Sequence, residues 1–427
     1  MLDTSKFNIN LTKDEIAILN GDKGPALQKV MESVVLYGEI FDAKKLIPIV
    51  GFQHTAMAVG ASFLKPYYKL LDELIEANLH TKQPFTANPR AYDFKNIKYP
   101  LLEKLVTKLI YTQKPYEERL LKLGLKDKQS FSCTCYLDEV GNQPKIGDIL
   151  AWSESSAVVY VNSVLGARTN RNSVVIDIFS AILGKTPYFG LLTDEGRKAS
   201  WLIEVKTKKL PNPHILGSVI GEKVIENVPY IKGLDKLLAK ENNLAIKAYL
   251  KDLGAASASS GAVGLYHVDK ITPEAKEQGE KLLTKGYQTF VITDQILVKA
   301  KEDLPVLWKD IDAKPKVCIM GCPHFTLEQL YLWKDKIKTK LESSGNKSFK
   351  VQTILCAAPA VVEKFKQDKQ AFNELITTGV RLSSICSLAY MSNPLTEKKP
   401  VITNSTKLRV YSTARFYPDD EILDVVI

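Results

Sequence analysis

The stretch Pro315–Leu341, "PKVCIMGCPHFTLEQLYLWKDKIKTKL", decides the fold class of this chain. It begins with a continuous apolar run and ends with apolar residues at helical spacing, which predicts a strand followed by a helix. Thr326, with Gln329 three residues later, has the pattern of a helix-capping residue and marks where the helix begins. We therefore expect Cys322 and His324 on a tight turn between the strand and the helix.

The same alternation continues through the C-terminal third of the chain. Apolar runs such as "YQTFVIT", "FKVQTILC" and "GVRLSSI" are separated by amphipathic segments such as "TPEAKEQGEKLLTKG" and "PAVVEKFKQDKQAFNELITTG". This pattern is typical of an α/β fold with a mostly parallel sheet. Because ligands bind at the carboxyl ends of parallel strands, Cys322 is expected at a ligand-binding edge.

The N-terminal part also reads as mixed α/β. Thr12 is a predicted helix cap, "AKKLIPIVGFQHT" contains a short buried strand, and "ESSAVVYVNSVLGARTNRNSVVIDIFSAILG" predicts two helices joined by the loop Arg168–Asn172. A segment rich in glycine, alanine and serine, "DLGAASASSGA", has linker composition. The expected domains are an N-terminal region at 1–251 and a C-terminal region at 263–427, with a linker at 252–262.

Composition and charge exclude several classes of protein. The 427 residues are 45% hydrophobic and 25% charged, close to the average for globular proteins. No apolar run reaches the roughly 18–20 residues that span a bilayer, and the start lacks the apolar core of a signal peptide, so we expect a cytoplasmic protein without membrane spans. The net charge is +10, but the lysines are interspersed with acids, which is typical of a solvated surface and argues against nucleic-acid binding.

Six cysteines need an explanation, because the chain has neither a disulfide framework nor the paired spacing of a zinc site. Cys322 alone could be a nucleophile, a metal ligand, a redox thiol or a small buried residue. A nucleophilic pair with His324 is disfavoured, since side chains two apart on a turn generally point away from each other. Cysteines on distant segments can also converge as iron–sulfur ligands.

Several motifs, taken together and in order, resemble the aconitase X family, a branch of the aconitase superfamily. The resemblance runs from the first helix almost to the end of the chain. It implies an aconitase-like catalytic core of several α/β units with mostly parallel sheets. The motifs are "LTKDEIAILNGDKGPALQKVM", "HTAMAVGAS", Asn88–Pro89, "SCTCYLDEVGNQPKIGDILAWSESSAVVYVNSVLGARTNRN", "FGLLTDEGRKA", "GCPHFTLEQL" and Cys386 followed by "TNSTK".

The resemblance implies an iron–sulfur cluster held by Cys133, Cys322 and Cys386. The cluster would be 4Fe-4S, or 3Fe-4S or 2Fe-2S after isolation, and three protein thiolates leave one iron open to a substrate hydroxyl. Cys135 stays an alternative to Cys133. The remaining two cysteines, Cys318 and Cys356, are expected to be small buried residues.

The family's activity is that of a hydro-lyase, which removes water from a small hydroxy acid. The resemblance implies (R)-5-phosphomevalonate or cis-3-hydroxy-L-proline as substrate, with iron acting on the leaving hydroxyl and a base taking the proton from the adjacent carbon. The implied catalytic residues are Ser155, Ser156 and Lys407. The implied substrate-binding residues are Gly60, Ala61, Ser62, Asn88, Pro89, Arg168, Arg171 and Thr406.

Two choices stay open within this picture. Asn88–Pro89 and Gly60–Ser62 look closer to the phosphomevalonate type, although Ala61 stands where valine is expected. His54 and His324 lie beside motif residues, where an imidazole could orient a cluster ligand, move a proton or serve only the structure.

Enzymes of the aconitase type close their site with a swivelling domain, which in aconitase X is either fused or a separate small subunit. No segment of this chain reads as such a β-rich domain. We therefore expect a large subunit that forms a heterodimer with a small swivelling-domain partner and binds an anionic small molecule. The alternative is a non-catalytic iron–sulfur or scaffold protein that keeps the aconitase-like fold. Loss of a cluster cysteine or of Lys407 would indicate that alternative, and all of them are present.

Overall fold

The computed structural model describes residues 7–56 and 65–427. Its α-helices are α1 Lys13–Leu19, α2 Pro25–Ile40, α3 Lys65–Glu76, α4 Leu101–Ile110, α5 Gln113–Leu123, α6 Ser155–Tyr160, α7 Val174–Leu183, α8 Pro213–Val224, α9 Leu234–Leu238, α10 Asn243–Ser260, α11 Pro273–Gln278, α12 Asp294–Glu302, α13 Leu327–Ser344, α14 Pro359–Gln367, α15 Lys369–Thr377, α16 Ser387–Met391, α17 Thr406–Val410 and α18 Asp419–Val426. None of these described helices is long and apolar enough to cross a membrane.

The described strands are β1 Leu46–Pro48, β2 Gln53–Thr55, β3 Phe85–Ala87, β4 Lys185–Pro187, β5 Ala199–Lys206, β6 Pro229–Lys232, β7 His267–Val268, β8 Leu283–Thr293, β9 Val317–Phe325, β10 Gln352–Ala357, β11 Arg381–Ser383, β12 Val401–Thr403 and β13 Arg415–Phe416.

These strands form two larger parallel sheets and two small pairs. In the four-stranded sheet the order is β7-β6-β5-β8, in the five-stranded sheet it is β11-β10-β9-β12-β13, and β1 pairs with β4 and β2 with β3. Only the pair of β1 and β4 is antiparallel within the described residues, so the predicted α/β fold with mostly parallel sheets is confirmed.

The five-stranded sheet has a topological switch point between β9 and β12. Strands β10 and β11 are added on one side of β9, and β12 and β13 on the other. The crevice at the carboxyl ends of the strands beside such a point is the usual ligand site of a parallel sheet. Cys322 lies near the end of β9, Cys386 follows β11 and Lys407 follows β12. The fold thus gathers three of the predicted site residues at one edge.

The segment "GCPHF" is not the tight turn after a strand that the sequence predicts. Strand β9 continues to Phe325, and residues 321–324 bulge out of its ladder with β10: Met320 pairs with Leu355 and Phe325 with Ala357. Gly321 has φ +90°, and a Cβ there would lie 2.3 Å from the carbonyl oxygen of Cys356. Cys322 therefore projects from a bulge inside a strand, which re-aims a side chain as bulges often do.

The helix that follows begins as predicted. The hydroxyl of Thr326 accepts from the backbone N–H of Gln329, whose side chain in turn accepts from the backbone N–H of Thr326, so both halves of the capping box are formed. The cap at Thr12 is likewise formed, with Glu15 as its third-position partner. These local patterns need no distant contact, which is why the sequence could predict them.

The expected linker at 252–262 is wrong, because residues 252–260 are the buried second half of α10. Their small side chains allow α10 to pack closely on α8. A Cβ at Gly217 in α8 would lie 2.3 Å from the carbonyl oxygen of Leu253. The glycine, alanine and serine content thus serves close helix packing here and not chain flexibility.

The predicted pair of helices around Arg168–Asn172 is present. Helix α6 continues into one turn of π-helix, Val161–Leu165, and ends at Gly166 with φ +74°. Helix α7 begins after Ser173, whose side chain accepts from the backbone N–H of Ile176. The start of α6 lies in the interior, so its first residues are available to a buried site.

Candidate metal and substrate site

Three of the six cysteines differ from the others in exposure. Cys133, Cys322 and Cys386 are partly exposed, whereas the other three are buried. The three partly exposed thiols also interact electrostatically with one another and with Lys407. The structure therefore brings together three thiols that lie on separate segments of the sequence, and these are the three predicted cluster ligands.

The donor chemistry of this site fits an iron–sulfur cluster. No group of three His, Cys, Asp or Glu side chains in the described part of the chain could hold a metal ion, but cluster thiolates bind different irons and need not converge on one point. Burial raises the pKa of Cys133 to about 12 and also raises the pKa of Cys322 and Cys386. Such thiols become ligands when binding of a metal displaces their protons. Three converging thiols from partly exposed cysteines are suitable for a cluster.

The environments of Cys133 and Cys135 differ sharply. Cys135 is fully buried in the hydrophobic core, and burial raises the pKa of its thiol well above its usual range, although a hydrogen bond with Thr86 opposes this. The sulfur of Cys133 accepts from the backbone N–H of His324 at 3.4 Å. This arrangement favours Cys133 as the ligand.

His324 connects all three cysteine segments. Its Nε2 lies 3.0 Å from the carbonyl oxygen of Ile385, and its Nδ1 lies 3.2 Å from the hydroxyl of Ser132. A carbonyl can only accept, so Nε2 carries the proton and Nδ1 accepts from the serine. Burial lowers the pKa of His324 to about 4, which keeps the imidazole neutral. Since Ser132 and Ile385 directly precede Cys133 and Cys386, the imidazole joins the two segments that carry these cysteines, and we call this arrangement the clamp.

A buried lysine supports this clamp by a hydrogen bond to the backbone of His324. The Nζ of Lys251 donates to the carbonyl oxygen of His324 at 3.0 Å and forms an ion pair with Asp252 at 2.9 Å. Asp252 also accepts from the side-chain amide of Gln329 at 2.9 Å. The start of the expected linker is therefore part of the support for the cysteine-bearing bulge.

Lys407, Glu154 and Ser156 form a buried polar cluster beside the thiols. The Nζ of Lys407 donates to Oε1 of Glu154 at 2.6 Å and to Oγ of Ser156 at 3.0 Å, and Ser156 donates to Oε2 of Glu154 at 2.7 Å. Glu154 also caps α6 by accepting from the backbone N–H of Ala157 at 2.6 Å. The two serines at the start of α6 therefore differ in their surroundings. Ser156 is fully buried in the polar cluster, and Ser155 is half-buried at the first position of α6.

The polar cluster of Lys407, Glu154 and Ser156 holds two opposite charges away from water. Burial alone would raise the pKa of Glu154, but the charge and hydrogen bond of Lys407 and the donors around it lower this pKa to about 2. Burial alone would lower the pKa of Lys407, but Glu154 and the nearby thiols raise it above its usual value. Both side chains are therefore ionised at neutral pH, and the positive charge of Lys407 is already neutralised by Glu154. Glu154 could not be identified from the sequence, because only the fold brings it to a lysine 253 positions away.

Asn88 and His54 hold the chain just before the predicted loop Gly60–Ser62. The side-chain amide of Asn88 donates to the carbonyl oxygen of Ala56 at 2.8 Å, and its oxygen lies 3.2 Å from Nε2 of His54. Burial lowers the pKa of His54 to about 4, so it is neutral. Gly60, Ala61 and Ser62 themselves lie outside the described residues.

The other predicted substrate residues divide into two groups. Thr406 is buried next to Lys407 with its hydroxyl 3.3 Å from the carbonyl oxygen of His214, and Pro89 is buried next to Asn88. Arg168 forms an ion pair with Asp194 at 2.6 Å, so its charge is neutralised by a partner outside the thiol site. Arg171 is exposed and donates to the carbonyl oxygen of Ala258 at 3.3 Å.

The chain thus has a parallel α/β core that carries three converging thiols beside a buried lysine–glutamate pair. Residues 8–195 match the family model of the aconitase X first domain, and residues 199–302 match that of the aconitase X second domain. The chain belongs to the aconitase X family, which confirms the resemblance seen in its sequence. The second-domain match runs through residues 252–262.

Curated relatives are similar over most of their length. The phosphomevalonate dehydratase large subunit of Thermococcus kodakarensis is 34% identical over 86% of this chain and 85% of that protein. The subunit of the same name from Methanocaldococcus jannaschii is 30% identical over 94% of each chain. A cis-3-hydroxy-L-proline dehydratase of Hypocrea jecorina is 26% identical over 97% of this chain and 68% of that protein. The relatives are dehydratases, so the expected enzyme class of hydro-lyase is confirmed.

A solved structure supports the same conclusion. The crystal structure of Thermococcus kodakaraensis aconitase X in its holo-form superimposes with a TM-score of 0.78 at 31% sequence identity. The match covers 98% of this chain and 100% of that one. The aconitase-like core predicted from the motifs is therefore confirmed along almost the whole chain.

The cluster ligands can be tested by single substitutions. We expect Cys133→Ala, Cys322→Ala and Cys386→Ala each to abolish the brown colour and most of the bound iron and acid-labile sulfide after anaerobic reconstitution. Cys135→Ala, Cys318→Ala and Cys356→Ala are the matched controls, because these three cysteines are buried and are not among the proposed ligands. Loss of iron from Cys135→Ala with retention in Cys133→Ala would show that the ligand assignment is wrong.

The structural role of His324 predicts a loss of stability without any metal. In the apoprotein, His324→Ala removes two buried hydrogen bonds and leaves the Ile385 carbonyl unpaired, so the free energy of unfolding should fall by about 2–4 kcal/mol. Urea unfolding followed by circular dichroism measures this change. His80→Ala is the control, because that imidazole is exposed and its loss should change stability by less than about 0.5 kcal/mol. Equal stability of the two variants would contradict the clamp.

Proposed function

We propose that this chain is the catalytic large subunit of an iron–sulfur-dependent hydro-lyase that acts on a small hydroxy acid, with (R)-5-phosphomevalonate as the first candidate substrate. One observation carries the proposal: three partly exposed thiols meet the buried cluster of Lys407, Glu154 and Ser156 at the switch point of a parallel sheet. The relatives named phosphomevalonate dehydratase large subunit support this substrate, and those named cis-3-hydroxy-L-proline dehydratase make that compound the second candidate.

In this proposal Cys133, Cys322 and Cys386 hold a 4Fe-4S cluster. When bound, the cluster supplies a Lewis-acidic iron that weakens the bond between carbon and the leaving hydroxyl. The clamp formed by His324 keeps the three thiols in place, because it fixes the residues beside them. The chain's contribution is therefore a rigid ligand set and a base.

Ser156 is the residue best placed to take the proton from the substrate carbon. Its own proton points to Oε2 of Glu154, so it can accept a proton at Oγ as it passes that proton on to the carboxylate. Lys407, 3.0 Å from the same oxygen, stabilises negative charge on it during the transfer. The proton on Glu154 then leaves with the departing hydroxide as water, which balances the dehydration.

Lys407 has a catalytic role in this proposal, as the resemblance implies. A lysine whose charge is already paired with Glu154 is a weak site for a second anion. We propose that it polarises Ser156 and that the anionic group of the substrate is bound elsewhere, with the exposed Arg171 as a candidate. Arg168 is less suited because its charge is paired with Asp194.

The large subunits among the relatives imply a second subunit, and we propose that this chain also works with one. The expected partner is a small subunit with a swivelling domain, which would form a heterodimer and close the site. Closure matters because a dehydratase site must control access of water to the reacting carbon.

The substrate and the partner can be tested together. The anaerobically reconstituted chain should dehydrate (R)-5-phosphomevalonate when the small subunit of the same organism is added, and should show little turnover alone. Absorbance or mass spectrometry of the dehydrated product measures the reaction, with cis-3-hydroxy-L-proline run in parallel. Full turnover without an added subunit would contradict the partner, and no turnover of either compound by a loaded complex would contradict the substrate class.

The role of Ser156 predicts a loss of turnover without loss of iron. Ser156→Ala should lower kcat by about 10²–10⁴-fold, the usual contribution of a positioned acid or base. Iron content should stay at the wild-type level, because the serine is not among the proposed ligands. If Ser155→Ala has this effect and Ser156→Ala does not, the base has been assigned to the wrong serine.

A further inference from the structure

Helix α4 turns its polar residues inward and its leucines outward. Glu103 and Thr107 are only 5% and 3% exposed. Glu103 pairs with Lys399, and the hydroxyl of Thr107 accepts from the side-chain amide of Asn393 at 2.8 Å. This is the reverse of a helix that merely covers a core, whose apolar side faces inward. The polar contacts anchor the helix in this orientation.

The outward side forms a continuous apolar surface. Positions 102, 105 and 109 have the spacing i, i+3 and i+7, so their side chains share one face of the helix, and position 101 lies beside them. Exposed fractions range from 56% to 77%. Contiguous exposed leucines of this kind mark interaction sites more often than single exposed residues do. We call this surface the leucine stripe; it consists of Leu101, Leu102, Leu105 and Leu109.

The leucine stripe is connected to a proposed cluster ligand. Tyr111, which follows α4, donates its hydroxyl proton to the carbonyl oxygen of Ala389 in α16 at 2.9 Å. Helix α16 begins directly after Cys386. The backbone N–H of Cys386 donates to the carbonyl oxygen of Arg90 at 2.7 Å. A partner protein bound to the leucine stripe would therefore lie next to the segment that carries Cys386.

The charged side chains of α4 that are not buried have one sign. The single acidic side chain of α4, Glu103, is buried and paired. The two lysines of the helix, Lys104 and Lys108, lie 5.3 and 5.8 Å from the ring centre of Phe94 and flank the leucines. A complementary surface would be apolar at its centre and acidic at its rim.

We propose that the leucine stripe is the docking surface for the small subunit, which would present an apolar patch rimmed by acidic residues. The inference rests on the proposed function, from which it takes the second subunit. A second copy of this chain fits less well, because a two-fold contact through the stripe would bring two pairs of lysines together on a chain of net charge +10. A small subunit bound here would be anchored beside the segment that carries Cys386.

A double substitution tests the surface directly. Leu105→Lys with Leu109→Lys should weaken binding of the same organism's small subunit by at least about 100-fold in titration calorimetry, since central apolar contacts carry most of the affinity of an interface. Leu244→Lys is the matched control: Leu244 is 53% exposed on another helix, and its change should leave the dissociation constant within about threefold. Lys108→Glu should weaken binding through charge alone, and less so at high salt.

The outcomes separate this inference from the proposed function. If the wild-type complex turns over substrate and the double variant binds the small subunit as tightly as wild type, the docking surface is wrong and the function stands. If wild type turns over substrate but neither binds nor needs the small subunit, the docking surface and the proposed partner are wrong and the proposed dehydration stands. If the wild-type chain sediments as a dimer that the double variant abolishes, the stripe joins two copies and the inference is overturned. Unchanged circular dichroism and iron content of the variants show that they are folded.

Discussion

The clamp at His324 is the constraint on which the arrangement of the site depends. Three chain segments, at residues 132–133, 322–324 and 385–386, must meet although two of them are almost 200 positions apart. A buried imidazole is costly unless both nitrogens find partners, and here one nitrogen binds the residue before Cys133 and the other the residue before Cys386. Because the imidazole is rigid and the histidine is itself two residues from Cys322, satisfying it fixes the relative positions of all three thiols.

The buried ion pair beside the thiols is better explained by function than by stability. An ion pair removed from water often contributes nothing net to folding, since desolvation offsets the attraction. The pair of Lys407 and Glu154 nevertheless encloses a serine hydroxyl and faces the thiol site. Perturbed ionisable groups that converge in this way are typical of catalytic sites. Glu154 further ties the site to the fold, because it caps α6 with the same carboxylate.

Local patterns were predictable from the sequence, and features that depend on distant partners were not. The capping box at Thr326 and the alternation of strands and helices follow from neighbouring residues, and both are present. The bulge at Gly321 depends on the carbonyl of Cys356 in the adjacent strand. The helical state of 252–260 depends on α8, because small residues suit close packing as well as they suit a linker. The pairing of Glu154 could be found only in the fold, since no local spacing relates it to Lys407.

The site lies where a parallel sheet usually leaves room for a ligand. At a switch point the strands on either side diverge, so their following loops leave a crevice that the sheet itself cannot fill. His324, Lys251 and the ion pair of Lys407 with Glu154 are all buried. The three cysteines are partly exposed, which suits entry of a substrate, whereas the proposed dehydration must control the access of water. A rigid ligand set requires many buried contacts and cannot itself move, so in the proposed function closure of the site falls to a separate element, the proposed small subunit.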